Sequence, residues 1–546
     1  MGNKRAAPPI IAAIFLRFFA AVLLLPAAAA QTQPRPQKKC CAADSRSNNT
    51  QKAAHSAADS QTAKFAARTD SLLGVSPVNK GEWGILISDA ESGETLFERN
   101  ADSFFVPASN MKLFTTALAL AKLGPDYRFR TTLESREAIS PEGVLIGDLV
   151  LVGRGDPNLS NRKFPYELKE EFDGPPEKAL VELADKLVLK GVKQISGDVI
   201  GDDSYFPRER YPNGWEIDDM VWEYGAAISA IVVDDNTVAL TLTPGESPGS
   251  LVQVVVEPPT PDFGVEEDVT TSALEIKSDL RLTREPGSNL VVVRGTLPAK
   301  SAPRKLILAI EEPALHAAAL LKKLLEERGI KVTGVAKARH QNGEDSNALQ
   351  VLAEHVSVPL SDSVKLVNKI SQNLHTEMLL RASARQSGLW STPEDLAKFP
   401  SDFYANAGIA PGDVIQTDGS GLSRHDLITP RAVVALLKYA QGQPWFNPYF
   451  DSLPVAGIDG TLEDRMKNSA AAGRIHAKTG SVEHVRTLSG FASTPGGRRL
   501  IFSFLSNNQG GKGHEAADAL GGLCVAMIEE FNSVPPKRGL THKHRQ

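Results

Sequence analysis

From about residue 126 to residue 350 the sequence breaks into short β-type segments and frequent turns, with strongly helical runs on either side. Examples are Leu145 to Val152, Val199 to Gly201, Thr237 to Leu242, Val252 to Val256, Leu290 to Val293 and Lys305 to Ile310. Helical stretches around Pro176 to Lys190 and Leu315 to Arg328 punctuate them. A stretch of this length is too long for a loop. The chain must therefore leave one folded unit, build one or two others, and return to complete the first from both chain ends.

The early part of that first unit opens with Glu82 to Ser88 and Glu94 to Glu98, which flank the turn-rich Asp89-Ala90-Glu91-Ser92-Gly93 and predict a β-hairpin. Pro107 then precedes a helical run, Ser109 to Leu123, stopped by Gly124-Pro125. In the late part the helical pattern returns through Asp362 to Gln386, followed by strand-like segments at 474–479, 485–493 and 499–505. Ala516, Leu520, Leu523, Met527 and Phe531 recur at helical spacing and predict a final amphipathic helix. The expected class is α+β: an antiparallel sheet flanked by helices, enclosing an inserted region.

Lys4 and Arg5, the apolar run Ile10 to Leu25 and the small residues Ala27 to Ala30 read as an export signal cleaved before Gln31. Arg17 inside the apolar run argues against a permanent span, and an uncleaved anchor with peripheral membrane contact is the alternative. Residues 31–62 are polar and Ala-rich and read as a disordered linker, and 534–546 as a disordered tail. The tail's His542 and His544 fit a frayed end better than a metal site. A formal charge of -5 over 546 residues argues against nucleic acid as a partner. Three cysteines, Cys40, Cys41 and Cys524, give neither a disulfide framework nor metal spacing.

Three short motifs carry chemistry. Ser109-Asn110-Met111-Lys112 places a hydroxyl and an amine three apart on one helix face. A helix start there would favour a developing oxyanion. A serine hydroxyl needs a base, and Lys112 is the base on offer if desolvation or a neighbouring cation, such as Lys478, brings its pKa toward neutrality. Taken alone, Ser109 would serve as a helix N-cap and Lys112 as a solvated charge. Ser371-Gln372-Asn373 supplies a second hydroxyl and an amide, suited to proton relay and to binding a peptide group. Lys478-Thr479-Gly480 follows the strand-like 474–477; its cation and hydroxyl suit a terminal carboxylate, and its glycine allows close backbone approach. Each of these two alone could be an ordinary loop serine or surface lysine. In this order S-x-x-K, S-x-N and K-T-G match the penicillin-recognising serine enzymes.

Beyond the motifs, the chain carries Val150-Leu151-Val152-Gly153-Arg154-Gly155-Asp156-Pro157, Gly214-Trp215 with Asp218-Asp219, Asp418-Gly419-Ser420-Gly421-Leu422-Ser423-Arg424, and Phe504-Leu505-Ser506-Asn507-Asn508. With these it resembles the class C low-molecular-mass penicillin-binding proteins, D-alanyl-D-alanine carboxypeptidases and endopeptidases of the penicillin-binding protein 4 type, from about residue 62 to 532. The resemblance implies a catalytic domain split as 63–125 and 355–533 around two nested β-rich domains within 126–354. It implies acylation of Ser109 with Lys112 as base, proton transfer assisted by Ser371, and substrate orientation by Asn373. Lys478 and Thr479 of the Lys478-Thr479-Gly480 strand would hold the terminal D-Ala carboxylate, and the N–H groups of Ser109 and Ser481 would form the oxyanion hole. Asp219, or the adjacent Asp218, would meet the amine of the stem-peptide diamino acid. The implied partners are peptidoglycan stem peptides, with β-lactams as covalent inhibitors, in the periplasm; no cofactor and no metal are implied.

Two other readings compete. A class A β-lactamase would need Glu-x-x-x-Asn between the second and third motifs, and the matches, Glu209 to Asn213 and Glu285 to Asn289, both precede Ser371. A non-catalytic wall-binding protein would have no reason to keep Ser109, Lys112, Asn373 and Lys478 together.

Overall fold

The computed structural model describes residues 47–533, except 161, 168, 169, 261, 262, 342–349 and 512. The segment 1–30 expected to be an export signal, Cys40, Cys41 and the tail 534–546 with His542 and His544 lie outside the described residues. Among the described residues no helix is long and apolar enough to cross a membrane. Residues 31–62 do not behave throughout as an unstructured linker: a helix, α1, runs from Ser47 to Leu73. Its sequence lacks large apolar groups over 47–62, yet Ala, Gln and Lys are good helix formers. Further along α1, Phe65 is fully buried, with its ring against Phe97 and Phe531.

The predicted hairpin forms as β1 (Glu82–Asp89) and β2 (Thr95–Arg99). Late in the chain come β3 (Ile475–Val482), β4 (Val485–Ser493) and β5 (Arg499–Asn507). The five strands make one antiparallel sheet in the order β2-β1-β5-β4-β3, in which β1 from the early half pairs with β5 from the late half. Both faces are covered, so alternate residues of β5 serve different cores. Ile501 and Leu505 pack with α2 (Met111–Leu123) and the helix Pro430–Gln441, whereas Leu500, Phe502 and Phe504 pack with the C-terminal helix His514–Glu530. Cys524 lies buried and free in that last helix.

The intervening residues form two further cores. One combines the strands Leu149–Val152, Val199–Asp202, Arg130–Ser135, Ala336–Arg339 and Gln350–Val356 with the helices Lys178–Leu189 and Pro313–Glu327. The other joins two three-stranded sheets drawn from Thr237 to Ala309 around Leu240, Val291 and Leu308. The second core's strands fall within the first core's sequence limits. The expected single strand over 145–152 is interrupted, with Val144–Leu145 in a separate small sheet.

Candidate active site

Five chain segments converge on one cleft of about 500 Å³, among them Ser109, the Ser371 to Asn373 stretch and Ser481. Ser109 lies in a short 3-10 turn, Ala108–Asn110, that leads into α2; it therefore stands just ahead of the α-helix and not within it. It is not an N-cap either, because that position belongs to Asn110. Ala108 adopts φ 46, a conformation costly for a residue with a Cβ. The turn is held by close backbone contacts. A Cβ on Gly421 would lie 1.8 Å from the Ala108 carbonyl oxygen, and one on Gly480 would lie 2.9 Å from the Pro107 oxygen. The K-T-G glycine thus admits the protein's own backbone beside Ser109. Asn110 Nδ2 donates to the Lys478 carbonyl at 2.9 Å, tying the turn to β3.

Lys112, one helical turn on, is fully buried. Its Nζ lies 2.9 Å from Ser109 Oγ, 2.6 Å from Asn373 Oδ1 and 2.8 Å from the Ser420 carbonyl oxygen. Two of these partners can only accept, because Asn373 Nδ2 is committed to the Tyr224 carbonyl. An uncharged amine satisfies the set: two N–H donors to carbonyl oxygens and one lone pair toward the Ser109 hydroxyl. Burial is the main cause that lowers the Lys112 pKa to about 7, opposed by the charges of Asp418, Glu377 and Asp426. Burial also carries Lys478 well below its usual range, with Lys112 adding to the effect. Desolvation, not a neighbouring cation, is therefore the main cause that brings Lys112 toward its neutral form.

Ser371 and Gln372 form the two-residue break between α3 (Leu360–Ile370) and α4 (Asn373–Gln386). Ser371 closes α3 in the left-handed region, at φ 64, and its Oγ accepts from Lys478 Nζ at 2.9 Å. Lys478 also donates to the Thr479 carbonyl at 3.0 Å. Gln372 has a part that its residue type did not reveal: its side chain caps α4 through His375 N–H.

On β3, Ala477 N–H donates to Pro454 O, away from β4. By the antiparallel alternation, Thr479 and Ser481 turn their backbone groups to the same open side. Ser481 lines the cleft with Ser109, Ser371 and Asn373. The Thr479 hydroxyl hydrogen-bonds Thr461 at 2.7 Å. Across the cleft stand Glu216, Asp218, Asp219 and Tyr224. Burial raises the Asp219 pKa, Glu216 reinforces this, and a Tyr224 hydrogen bond opposes it. Both candidate aspartates face the cleft.

Sequence reasoning missed the support behind Lys112. Glu377 accepts the N–H groups of Gly419 and Ser420 at 2.8 Å each, and Arg381 binds its other oxygen at 2.6 Å. Asp418 accepts from Gly421 N, Ser423 N and Ser420 Oγ, and from Trp215 Nε1 at 2.8 Å. This loop aims the Ser420 carbonyl at Lys112. Asn373, Glu377 and Arg381 follow one another at four-residue intervals, a periodicity that marks one helix face. Neither Glu-x-x-x-Asn match is among the cleft residues: Glu209 pairs with Arg381, and Glu285 and Asn289 lie in a turn of an inserted sheet. Among the described residues no cluster of His, Cys, Asp and Glu could hold a metal ion.

Residues 66–525 match the D-Ala-D-Ala carboxypeptidase 3 (S13) family. The chain belongs to that family. It is a serine-type D-Ala-D-Ala carboxypeptidase of the penicillin-binding protein 4 type. A D-alanyl-D-alanine carboxypeptidase of Actinomadura sp. (strain R39) is 32% identical over 477 residues, 84% of each chain. The D-alanyl-D-alanine carboxypeptidase DacB of Haemophilus influenzae is 27% identical over 77% of this chain and 84% of its own. The crystal structure of penicillin binding protein 4 from Haemophilus influenzae superimposes with a TM-score of 0.74 at 26% identity, covering 85% of this chain and 99% of that one. A structure of the same protein complexed with a β-lactam gives a TM-score of 0.70 at 25% identity.

Proposed function

We propose that this carboxypeptidase works through an acyl-enzyme on Ser109, with Lys112 as the base and Ser371 and Lys478 completing the proton path. The observation that carries this reading is the 2.9 Å contact between Ser109 Oγ and an amine whose other two partners are carbonyl oxygens. The stem peptide adds to the open edge of β3, with its terminal carboxylate toward Lys478 and Thr479. Ser109 Oγ attacks the carbonyl of the penultimate D-Ala as its proton passes to Lys112. The oxyanion is met by the N–H groups of Ser109 and Ser481. Collapse breaks the C–N bond, and the leaving amine of the terminal D-Ala takes a proton relayed through Ser371. Water then attacks the ester, gives a proton to Lys112, and restores the Ser109 hydroxyl. Asn373 orients the peptide, and Asp219 or Asp218 receives the ammonium of the diamino acid. A β-lactam acylates the same hydroxyl.

The reading extends to endopeptidase cleavage of cross-links, because both reactions cut after a D-residue and differ only in the group beyond it. It also extends to periplasmic export by residues 1–30 and to a catalytic domain split at 63–125 and 355–533. Purified protein incubated with monomeric and cross-linked muropeptides should release D-Ala from the first and separate the second. The Ser109→Ala variant should do neither. D-Ala release by that variant would refute the assignment.

A further inference from the structure

The first half of β3 is covered by the protein's own chain. Ala477 N–H donates to Pro454 O at 2.9 Å, Val455 bridges His476, and Ala456 N–H donates to Ile475 O at 3.0 Å. Beyond Ala456 the covering segment leaves the strand, and Gly457 N–H donates to Leu462 O at 2.9 Å to close the loop. The edge left open for a stem peptide therefore begins at Thr479. The 3-10 turn Gly460–Leu462 meets β3 at that residue: the Thr461 hydroxyl lies 2.7 Å from the Thr479 hydroxyl.

The turn is anchored in the interior. Asp459, its N-cap residue, accepts from Lys369 Nζ on both carboxylate oxygens, at 2.7 and 2.6 Å, and its Oδ1 also accepts Val455 N–H at 2.8 Å. The Lys369 side chain is 2% exposed, and its third partner is the Leu453 carbonyl at 2.6 Å. Breaking such a pair strands a buried charge, so the turn is held firmly. Gly460 stands at φ 57, and a Cβ there would lie 2.7 Å from the Lys369 carbonyl oxygen. The turn's backbone thus packs directly on the end of α3, two residues before Ser371.

A threonine hydroxyl has one proton to donate, whereas a carboxylate only accepts. When Thr479 donates to a terminal carboxylate, its oxygen can only accept from Thr461, and Thr461 becomes the donor of that pair. We propose that Thr461 is a positioning residue for carboxylate recognition: its hydroxyl, on a turn anchored to Lys369, turns the Thr479 O–H toward the bound carboxylate. The inference rests on the reading of Thr479 as a carboxylate ligand.

Benzylpenicillin carries a carboxylate on the carbon next to its lactam nitrogen, as the terminal D-Ala does next to its amide nitrogen; its methyl ester carries none. The test compares the two compounds on full-length native protein, Thr461→Val and Thr461→Ser, and follows formation of the Ser109 acyl-enzyme by intact mass spectrometry. Thr461 is exposed, so neither substitution disturbs a core. Thr461→Val should slow acylation by benzylpenicillin about five- to tenfold, with the methyl ester slowed by less than about twofold. Thr461→Ser, which keeps the hydroxyl, should restore the native rate. Equal slowing of both compounds would mark a general distortion of the cleft, and unslowed benzylpenicillin an idle hydroxyl. Either result overturns the inference while acylation of Ser109 stands. A native protein that acylates both compounds equally fast would remove the carboxylate seat at Thr479, and the inference with it.

Discussion

Replacing Asn373 by Asp probes the uncharged state of Lys112 directly. In the native site a carbonyl oxygen stands 2.6 Å from Lys112 Nζ, and the substitution puts a carboxylate there with almost no change of shape. At that separation a unit charge pair is worth about 6 kcal/mol at an effective dielectric constant of about 20. The new charge stabilises the ammonium, so the Lys112 pKa must rise from about 7. Even a quarter of the Coulomb figure moves it by about one unit. The base is the neutral form, so acylation in the native protein should climb through about pH 7 and level off above it. In Asn373→Asp the climb should move at least about one unit to higher pH, with a rate about tenfold lower on the acidic limb. Stopped-flow acylation by benzylpenicillin, from about pH 5 to about pH 10, reads both profiles and separates a shifted midpoint from a loss of affinity. An unmoved midpoint, or one displaced to lower pH, would refute the role given to Lys112.

Ser371→Ala should lower D-Ala release about 10²- to 10⁴-fold by steady-state assay, because Lys478 loses its hydroxyl partner and the leaving amine its relay. Trp215→Phe removes one donor from the fully buried Asp418 and should cost about 1–3 kcal/mol in urea denaturation. Gly421→Ala forces a Cβ against the Ala108 carbonyl at φ 81, and should cost at least about 2 kcal/mol while slowing penicillin acylation.

The candidate residues Ser109, Lys112, Ser371, Asn373 and Lys478 could be singled out from the chain because their types and order are constrained locally. Ser109 and Lys112 stand three positions apart where the 3-10 turn runs into α2, and Lys478 and Gly480 sit on a strand. The sheet was legible for the same reason, since β1, β4 and β5 each carry strand-forming runs. Tertiary partners were not legible. Ser420 meets Lys112 across 308 positions, and Trp215 reaches Asp418 from the inserted region across 203. Glu377 and Arg381 look like an ordinary helix-surface ion pair until the loop at 418–423 closes over them. The segment 47–62 misled in the opposite sense, because composition without large apolar groups is compatible with a helix rich in Ala, Gln and Lys.

The most direct test of the acyl-enzyme account is to treat the protein with benzylpenicillin, digest it, and map the adduct by mass spectrometry. A single adduct of intact penicillin on the peptide that contains Ser109, absent from Ser109→Ala, is the predicted result. An adduct on any other residue, or one that persists in Ser109→Ala, would contradict it.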